Sequence, residues 1–163
     1  MDIMGTTFVE LNDDERRSLF DLAEYGYVFD WTRQSSYKSS TVAALINGEV
    51  AGLVEFERHQ GKHLNYVWSI EVAEKYKGSK ILGKLVACVA RDSIEQGFGG
   101  SILFNYKTPL SKRYSERLRK HCNEICKTWS NSDFYSDLLD LRAELHLDPK
   151  TAQSFVERYL GGE

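Results

Sequence analysis

The chain of 163 residues has no long apolar segment and no strong excess of charge of one sign. No run approaches the roughly 18 apolar residues that a helix needs to span a bilayer, and the N-terminus lacks the shape of a signal peptide. The formal net charge of −3 argues against a general binder of nucleic acid or of anionic membrane surfaces. We therefore expect a cytoplasmic protein whose partners include neither nucleic acid nor a membrane.

Cysteine is also scarce, with three residues, Cys88, Cys122 and Cys126, that cannot all pair with one another. On a helix Cys122 and Cys126 would share one face beside His121, which is one arrangement that can hold a metal ion. A second pair of ligands at zinc spacing is missing, however. We expect reduced thiols and no metal site.

The sequence contains no internal repeat and no low-complexity linker, so it predicts a single domain over residues 1–163. Asn47 and Gly48 separate two apolar runs and predict a hairpin, because both residues tolerate positive φ. A second polar turn at 59–63 joins the next pair of strands. Two hairpins followed by a strand, a helix and a strand predict a mixed sheet of the α/β class.

Other helices and strands are predicted towards the two ends of the chain. A capped apolar pattern predicts a helix from about Asn12 to Tyr25, ended by Gly26. A second helix is predicted over 111–126. Residues 138–147 are predicted to form a late strand, although 138–141 could equally be helical. Asp148 followed by proline predicts the start of a last helix that reaches Leu160.

The most informative stretch is 68–100, where an apolar strand enters a basic turn, Lys75–Lys80, that opens directly onto a helix. The first N–H groups of a helix have no internal partners and its dipole favours negative charge, so this arrangement binds anions. Gly78 would let the backbone approach a ligand, and Lys77 and Lys80 add positive charge. Alternatively, these lysines are simply solvated. The motif is neither a P-loop nor a Gly-x-Gly-x-x-Gly fingerprint.

From Thr41 to Leu118 the order of elements resembles the core of the GNAT superfamily of N-acetyltransferases. The chain reads as strand TVAALING, strand EVAGLVEFE, strand NYVWSIEV, turn EKYKGSK, helix ILGKLVACVARDSIEQ, turn GFGG, strand SILFNY and helix SKRYSERL. The resemblance implies a mainly antiparallel sheet flanked by helices, and transfer of an acetyl group from acetyl-CoA to an amine. The alternative is a GNAT-like binding or regulatory module without catalysis. Members of the family often pair through late strands, which would make a homodimer.

The family's diagnostic loop, Arg/Gln-x-x-Gly-x-Gly/Ala, holds the pyrophosphate of acetyl-CoA through its amides, and here it is degenerate. In a first register Lys77 takes the Arg/Gln position, and Lys80 and Leu82 replace the glycines. In a second register Lys80, Gly83 and Leu85 take the three positions, and the helix starts about a turn later. We prefer the first register, because it keeps the family's helix length. The resemblance then implies that acetyl-CoA binds to the amides of Lys77, Gly78, Ser79, Lys80, Ile81, Leu82 and Gly83.

The resemblance also implies contacts to the rest of the co-substrate. Main-chain groups at Ile70, Glu71 and Val72 would pair with the pantetheine and the acetyl carbonyl, and Asn105 matches a position that often bonds the pantetheine arm. Tyr114 matches a tyrosine that GNAT enzymes often place near the thioester sulfur. Its phenol would protonate the leaving thiolate. A tyrosine packed on the sheet is the structural alternative.

An amine of the lysine type has a pKa of about 10.4, so its acetylation at neutral pH needs a base or a relaying water. Glu71 is our first candidate for this base, since strand alternation puts it on the face opposite Ile70 and Val72. A buried carboxylate without partners is costly, so we expect Glu71 to be either solvated in a cleft or functional. Glu55 and Glu57 on the preceding strand are rivals.

The segment 29–37 is an aromatic and polar loop. In the resembling family the region between the first helix and the second strand often lines the acceptor pocket. Phe29 and Trp31 would serve equally well as a cover for the edge of the core. The identity of the amine acceptor is left open by the sequence.

Overall fold

The computed structural model describes residues 5–105 and 144–161. They form one sheet whose strands are neighbours in chain order, β1 (Thr6–Leu11), β2 (Ser39–Ile46), β3 (Glu49–His59), β4 (Leu64–Val72), β5 (Ile102–Asn105) and β6 (Glu144–Leu147). Neighbouring strands are antiparallel except β4 and β5, which are parallel. The predicted mixed and mainly antiparallel sheet is confirmed.

The helices of the described part are α1 (Asp13–Arg17), α2 (Ile81–Glu95) and α3 (Pro149–Leu160), and short 3-10 helices lie at Leu22–Tyr25, Gln60–Lys62 and Glu74–Tyr76. The predicted start of the last helix is confirmed, because the Asp148 side chain accepts a hydrogen bond from the backbone N–H of Thr151 at 2.8 Å. Among residues 5–105 and 144–161, no helix is both long and apolar enough to cross a bilayer.

The two faces of the sheet are covered differently. The larger apolar cluster joins the strands to α2 and α3, and includes Val54, Phe56, Ile70, Val72, Leu85, Val86, Val89 and Phe155. A smaller cluster includes Leu22, Tyr27, Trp31, Ala43, Leu53 and Ala73. Because successive side chains of a strand point to opposite faces, this smaller cluster lies on the face away from α2. The segment between α1 and β2 therefore covers the second face.

Gly52 on β3 sets how closely α2 approaches the sheet. A Cβ atom at this position would lie 2.8 Å from side-chain carbons of both Ile81 and Leu85. Only glycine therefore lets the first turn of α2 rest directly on β3 and beside the end of β4.

The predicted helix over 12–25 is correct at its start and wrong in its extent. Asn12 and Glu15 form a reciprocal capping box, but α1 ends after five residues. The hydroxyl of Ser18 donates to the carbonyl of Glu15, a local bond that competes with continued helix. The chain resumes as a 3-10 helix that Gly26 ends with φ of 88°, as predicted.

Strand β1 was not predicted, although it pairs with β2 over its whole length. At the other end, Glu144–Leu147 is a strand, which confirms part of the late strand expected at 138–147. The predicted helix at 111–126 lies outside the described residues, and so do Tyr114, Cys122 and Cys126.

Candidate active site

The sheet opens between β4 and β5. These parallel strands pair over only three residues each, Asn65–Val67 with Ile102–Phe104. β4 then carries a bulge at Trp68, because Phe56 lies opposite Val67 while Glu55 lies opposite Ser69. Beyond the bulge β4 stays paired with β3, whereas no described strand pairs with its other edge.

The residues at this open edge include those expected to hold the pantetheine and the acetyl group. Ile70, Glu71 and Val72 form the last three positions of β4, all beyond the bulge. Asn105 is the last residue of β5, opposite Glu144 of β6. Strand backbone without a strand partner needs other hydrogen-bonding groups, which a ligand can supply.

The turn that follows β4 presents unpaired amides. Gly78 adopts a left-handed backbone with φ of 80°, and the Ser79 hydroxyl accepts from the N–H of Ile81 at 3.3 Å. Within the described residues no acceptor meets the backbone N–H groups of Lys80, Leu82 and Gly83. Free donors at a helix N-terminus are the groups that bind phosphate oxygens.

The position of the helix start favours the first register of the loop. α2 begins at Ile81, whereas the second register needs a start about one turn later. Gly83 is already the third residue of the helix, and a Cβ atom there would lie 2.4 Å from the ring of Tyr159 on α3. The need for glycine at this position therefore comes from helix packing.

The two lysines of the turn have different surroundings. The ammonium of Lys77 lies 2.6 Å from a carboxylate oxygen of Glu74, so an incoming phosphate would compete with an existing ion pair. Lys80 is exposed and makes no ion pair with any described residue. Leu82 is buried in the larger apolar cluster, so its side chain is directed away from the turn.

Glu71 is buried, with 1% of its surface exposed, and its carboxylate accepts three hydrogen bonds. The backbone N–H groups of Val28 and Phe29 donate at 2.9 and 2.8 Å, and the indole N–H of Trp31 donates at 2.8 Å. The expectation of a solvated cleft is therefore wrong, because the strand face is covered by the segment that supplies these donors. The role of Glu71 as a base stays a prediction.

Burial raises the pKa of the Glu71 carboxyl above its usual value, although the three donors and the charge of Lys77 oppose that shift. Desolvation disfavours the charged form, and hydrogen bonds to the carboxylate favour it. The direction of the shift shows that desolvation is the larger effect here.

This raised pKa predicts a pH dependence that a Glu71→Gln variant should lack. A carboxyl that holds its proton more tightly in the folded chain stabilises the fold most at low pH, and that contribution is lost as the pH rises through the folded pKa. We expect the unfolding free energy of the wild type, relative to the variant, to fall as the pH rises above 4.5, the ordinary value of the group. Urea unfolding of both proteins between that pH and neutrality measures it. A difference that grows with pH would contradict the shift.

The rival glutamates differ from each other. Glu55 is 3% exposed and accepts from the backbone N–H and hydroxyl of Ser35, both at 2.7 Å, and from the hydroxyl of Ser39 at 2.6 Å. Glu57 is half-buried, and its side chain makes no hydrogen bond or ion pair with a described residue.

The aromatic loop covers the edge of the core, which is one of the two roles that the sequence allowed, and a part in an acceptor pocket stays a prediction. Trp31 is 4% exposed and covers the smaller apolar cluster, as the core interpretation predicts, whereas Tyr37 is 86% exposed. Sequence reasoning missed that this loop is held by Glu55 and Glu71. The serines and the tryptophan were visible as donors, but nothing local pairs them with carboxylates on other strands.

Residues 6–118 match the sequence model of the acetyltransferase (GNAT) family. The match spans more than half of the chain, so the chain belongs to the GNAT family. The resemblance inferred from the order of elements is confirmed.

Solved structures of acetyltransferases share the fold. YhhK of E. coli, an N-acetyl transferase by name and bound to coenzyme A, is 14% identical with a TM-score of 0.54, over 72% of this chain and 89% of that one. The aminoglycoside acetyltransferase meta-AAC0020 from an uncultured soil metagenomic sample is 12% identical with a TM-score of 0.53, over 73% and 89%. The ribosomal-protein-S18-alanine N-acetyltransferase of Escherichia coli is 10% identical with a TM-score of 0.52, over 69% and 76%. No curated protein sequence matches the chain significantly.

Proposed function

We propose that this protein is an acyl-CoA-dependent N-acetyltransferase, which moves the acetyl group of acetyl-CoA to an amine in the cytoplasm. One observation carries the proposal. The edge of β4 at 69–72, with which no described strand pairs, leads within a few residues to amides at the start of α2 that no described acceptor meets. A thioester at this edge and a pyrophosphate at those amides would belong to one extended ligand.

Each part of the co-substrate then has a partner in the chain. The amides from Lys77 to Gly83 bind the pyrophosphate, and Lys80 adds positive charge. Main-chain groups of Ile70, Glu71 and Val72 hold the pantetheine and the acetyl carbonyl, and Asn105 bonds the pantetheine arm. Tyr114 protonates the leaving thiolate once the amine has attacked.

The alternative of an inactive GNAT-like module rests on the replaced glycines of the loop. Its strongest form requires the side chains at the glycine positions to crowd the pyrophosphate. Leu82 is buried in the larger apolar cluster, so its side chain is directed away from the turn and does not crowd the pyrophosphate. Lys80, the other residue at a glycine position, is exposed. The acceptor is an amine of unassigned identity, since the named relatives include an enzyme for aminoglycosides and one for a protein alanine.

Calorimetry with acetyl-CoA tests the proposal, and two glycines at opposite ends of α2 provide a matched pair of variants. Gly78 and Gly97 have φ of 80° and 85°, and in both cases a Cβ atom would meet nothing within 4 Å. Alanine at either position should cost similar stability, about 1 kcal/mol, through backbone strain alone. We expect only Gly78→Ala to weaken acetyl-CoA binding, by about tenfold or more.

Three results would count against this assignment. If the wild type does not bind acetyl-CoA at millimolar concentration, the proposed acetyltransferase activity is excluded. Equal losses of affinity in Gly78→Ala and Gly97→Ala would mean that the effect is transmitted through stability. Full affinity in Gly78→Ala would move the pyrophosphate away from this turn.

A further inference from the structure

The strongest unassigned feature is the segment 27–39, which we name the strap. It crosses the face of the sheet opposite α2. The strap begins at Tyr27, whose hydroxyl donates to the carbonyl of Val50 on β3. Gly26, just before it, lies against Glu74, since a Cβ atom there would be 2.8 Å from the Cβ of Glu74. The strap therefore begins beside the turn that leads into α2.

Two carboxylates hold the strap at separate points. Glu71 binds its first half through Val28, Phe29 and Trp31, and both carboxylate oxygens are used. Glu55 binds its second half, at residues 35 and 39, again through both oxygens. The two glutamates lie on neighbouring strands, with Glu71 opposite Leu53 and Glu55 two positions further along β3. Both side chains therefore point to the same face.

Holding a loop by buried carboxylates costs desolvation free energy. Both carboxylates are almost fully buried, and neither forms an ion pair with a residue in the described ranges. A buried carboxylate is tolerated when hydrogen bonds offset part of its lost hydration, as the six donors of the strap do. Apolar packing would cover this face at lower cost, but it would not fix individual amides of the strap in place.

The anchored strap carries exposed apolar side chains. Val28 donates its N–H to Glu71 while its side chain is 70% exposed, and Tyr37, between the two anchored serines, is 86% exposed. The backbone of Glu71 belongs to the open edge of β4, so its side chain links that edge directly to the strap.

We infer that Glu71 and Glu55 are positioning residues that hold the strap as the acceptor-side wall of the transfer site. The inference rests on the proposed function, because the edge of β4 is a reaction edge only if a thioester lies there. It assigns the carboxylate of Glu71 to the strap amides, and the proton of the amine then leaves through another group or through water.

Hydrogen exchange of single amides in the full-length protein tests the anchors without any ligand. We expect Glu71→Gln to speed exchange at the amide of Val28 or of Phe29 by about tenfold or more, because they donate to different oxygens and the amide nitrogen that replaces one oxygen cannot accept a hydrogen bond. The amide of Ser35 should be unchanged. Glu55→Gln should give the reverse pattern. Uniformly faster exchange along the chain would show a general loss of stability and overturn the anchor role.

A second variant keeps the test valid if a buried glutamine unfolds the chain. Trp31→Phe removes one donor from the strap and leaves the carboxylate of Glu71 intact. It should speed exchange at Val28 and Phe29 relative to the wild type, with Ser35 again unchanged. Unaltered exchange in both variants would leave Glu71 free to act as a base and would contradict the inference.

The position of the strap as a wall is tested with acetyl-CoA and CoA as probes. We expect saturating acetyl-CoA to slow exchange in the first half of the strap, at residues 28–31, more than CoA does, because only acetyl-CoA carries the acetyl group that the proposed function places at the β4 edge. In Glu71→Gln, with each ligand again at saturation, this difference should disappear. If acetyl-CoA binds without changing exchange at the strap amides, the strap is not a wall of the transfer site. Absence of binding would instead remove the proposed function and leave the exchange results on the anchors standing.

Discussion

Replacement of Gly83 by valine should lower the free energy of unfolding by about 3 kcal/mol, the upper end of the usual cost of overpacking a core. The physical reason is the contact between α2 and α3. A single Cβ atom at residue 83 would lie 2.4 to 2.7 Å from three atoms of the Tyr159 ring, and that ring is stacked on Phe155. The residue is buried inside a helix, so the two helices have to move apart. Urea unfolding of wild type and variant measures the loss.

A second substitution shows whether the ring is responsible. In a Tyr159→Ala background the space beside residue 83 is empty, so Gly83→Ala should cost nothing or stabilise the helix by up to about 1 kcal/mol. If the double variant loses as much unfolding free energy as Gly83→Ala and Tyr159→Ala lose together as single variants, the packing of Tyr159 is not the reason for glycine at residue 83.

The same pair of substitutions decides the register of the pyrophosphate loop. In the first register residue 83 is already in the helix, so Gly83→Ala in the Tyr159→Ala background should bind acetyl-CoA as tightly as the Tyr159→Ala parent. In the second register Gly83 makes the close backbone approach, and binding should weaken by tenfold, or about 1.4 kcal/mol. The comparison is made between two chains of similar packing, so it separates binding from stability.

The elements with strong local signals were predictable from the sequence. Asn47 and Gly48 both have positive φ and form the β2–β3 hairpin, and α2 follows the apolar period down to its start at Ile81. Strand β1 and the segment after α1 depend on other parts of the chain. β1 is a short edge strand that is specified by its pairing with β2, and the residues after Arg17 are held by the strap and the sheet face rather than by helix propensity.

The candidate site was predictable in its chemistry and less so in its contacts. Glu71 was recognised because a carboxylate on a central strand requires an explanation. Its partners are 40 to 43 residues away along the chain, and no spacing rule connects them. Gly83 shows a second contact of this kind, since the less favoured second register would place it in the loop, while its side of the helix contacts a helix at the other end of the sequence.

The second large effect concerns Tyr114, which lies outside the described residues and is assigned from its place in the family. Tyr114→Phe should lower kcat by roughly 10- to 1,000-fold with little change in acetyl-CoA affinity, as loss of a general acid does. Such a change corresponds to about 1.4 to 4 kcal/mol of transition-state stabilisation. Release of free CoA thiol with an amine that the wild type acetylates measures kcat, and calorimetry measures acetyl-CoA binding.

Tyr25→Phe is the matched control, because Tyr25 is 46% exposed, lies outside the strap and has no part in the proposed chemistry. Its kcat should equal that of the wild type. The pH profile adds a readout that a packing role would not move, since a phenol with a pKa near 10 ceases to be an acid above that pH. We therefore expect kcat of the wild type to fall at alkaline pH and kcat of Tyr114→Phe to lose that decline. Equal turnover in Tyr114→Phe and Tyr25→Phe would mean that the thiolate leaves without this tyrosine, and water or another group in the site would then have to supply the proton.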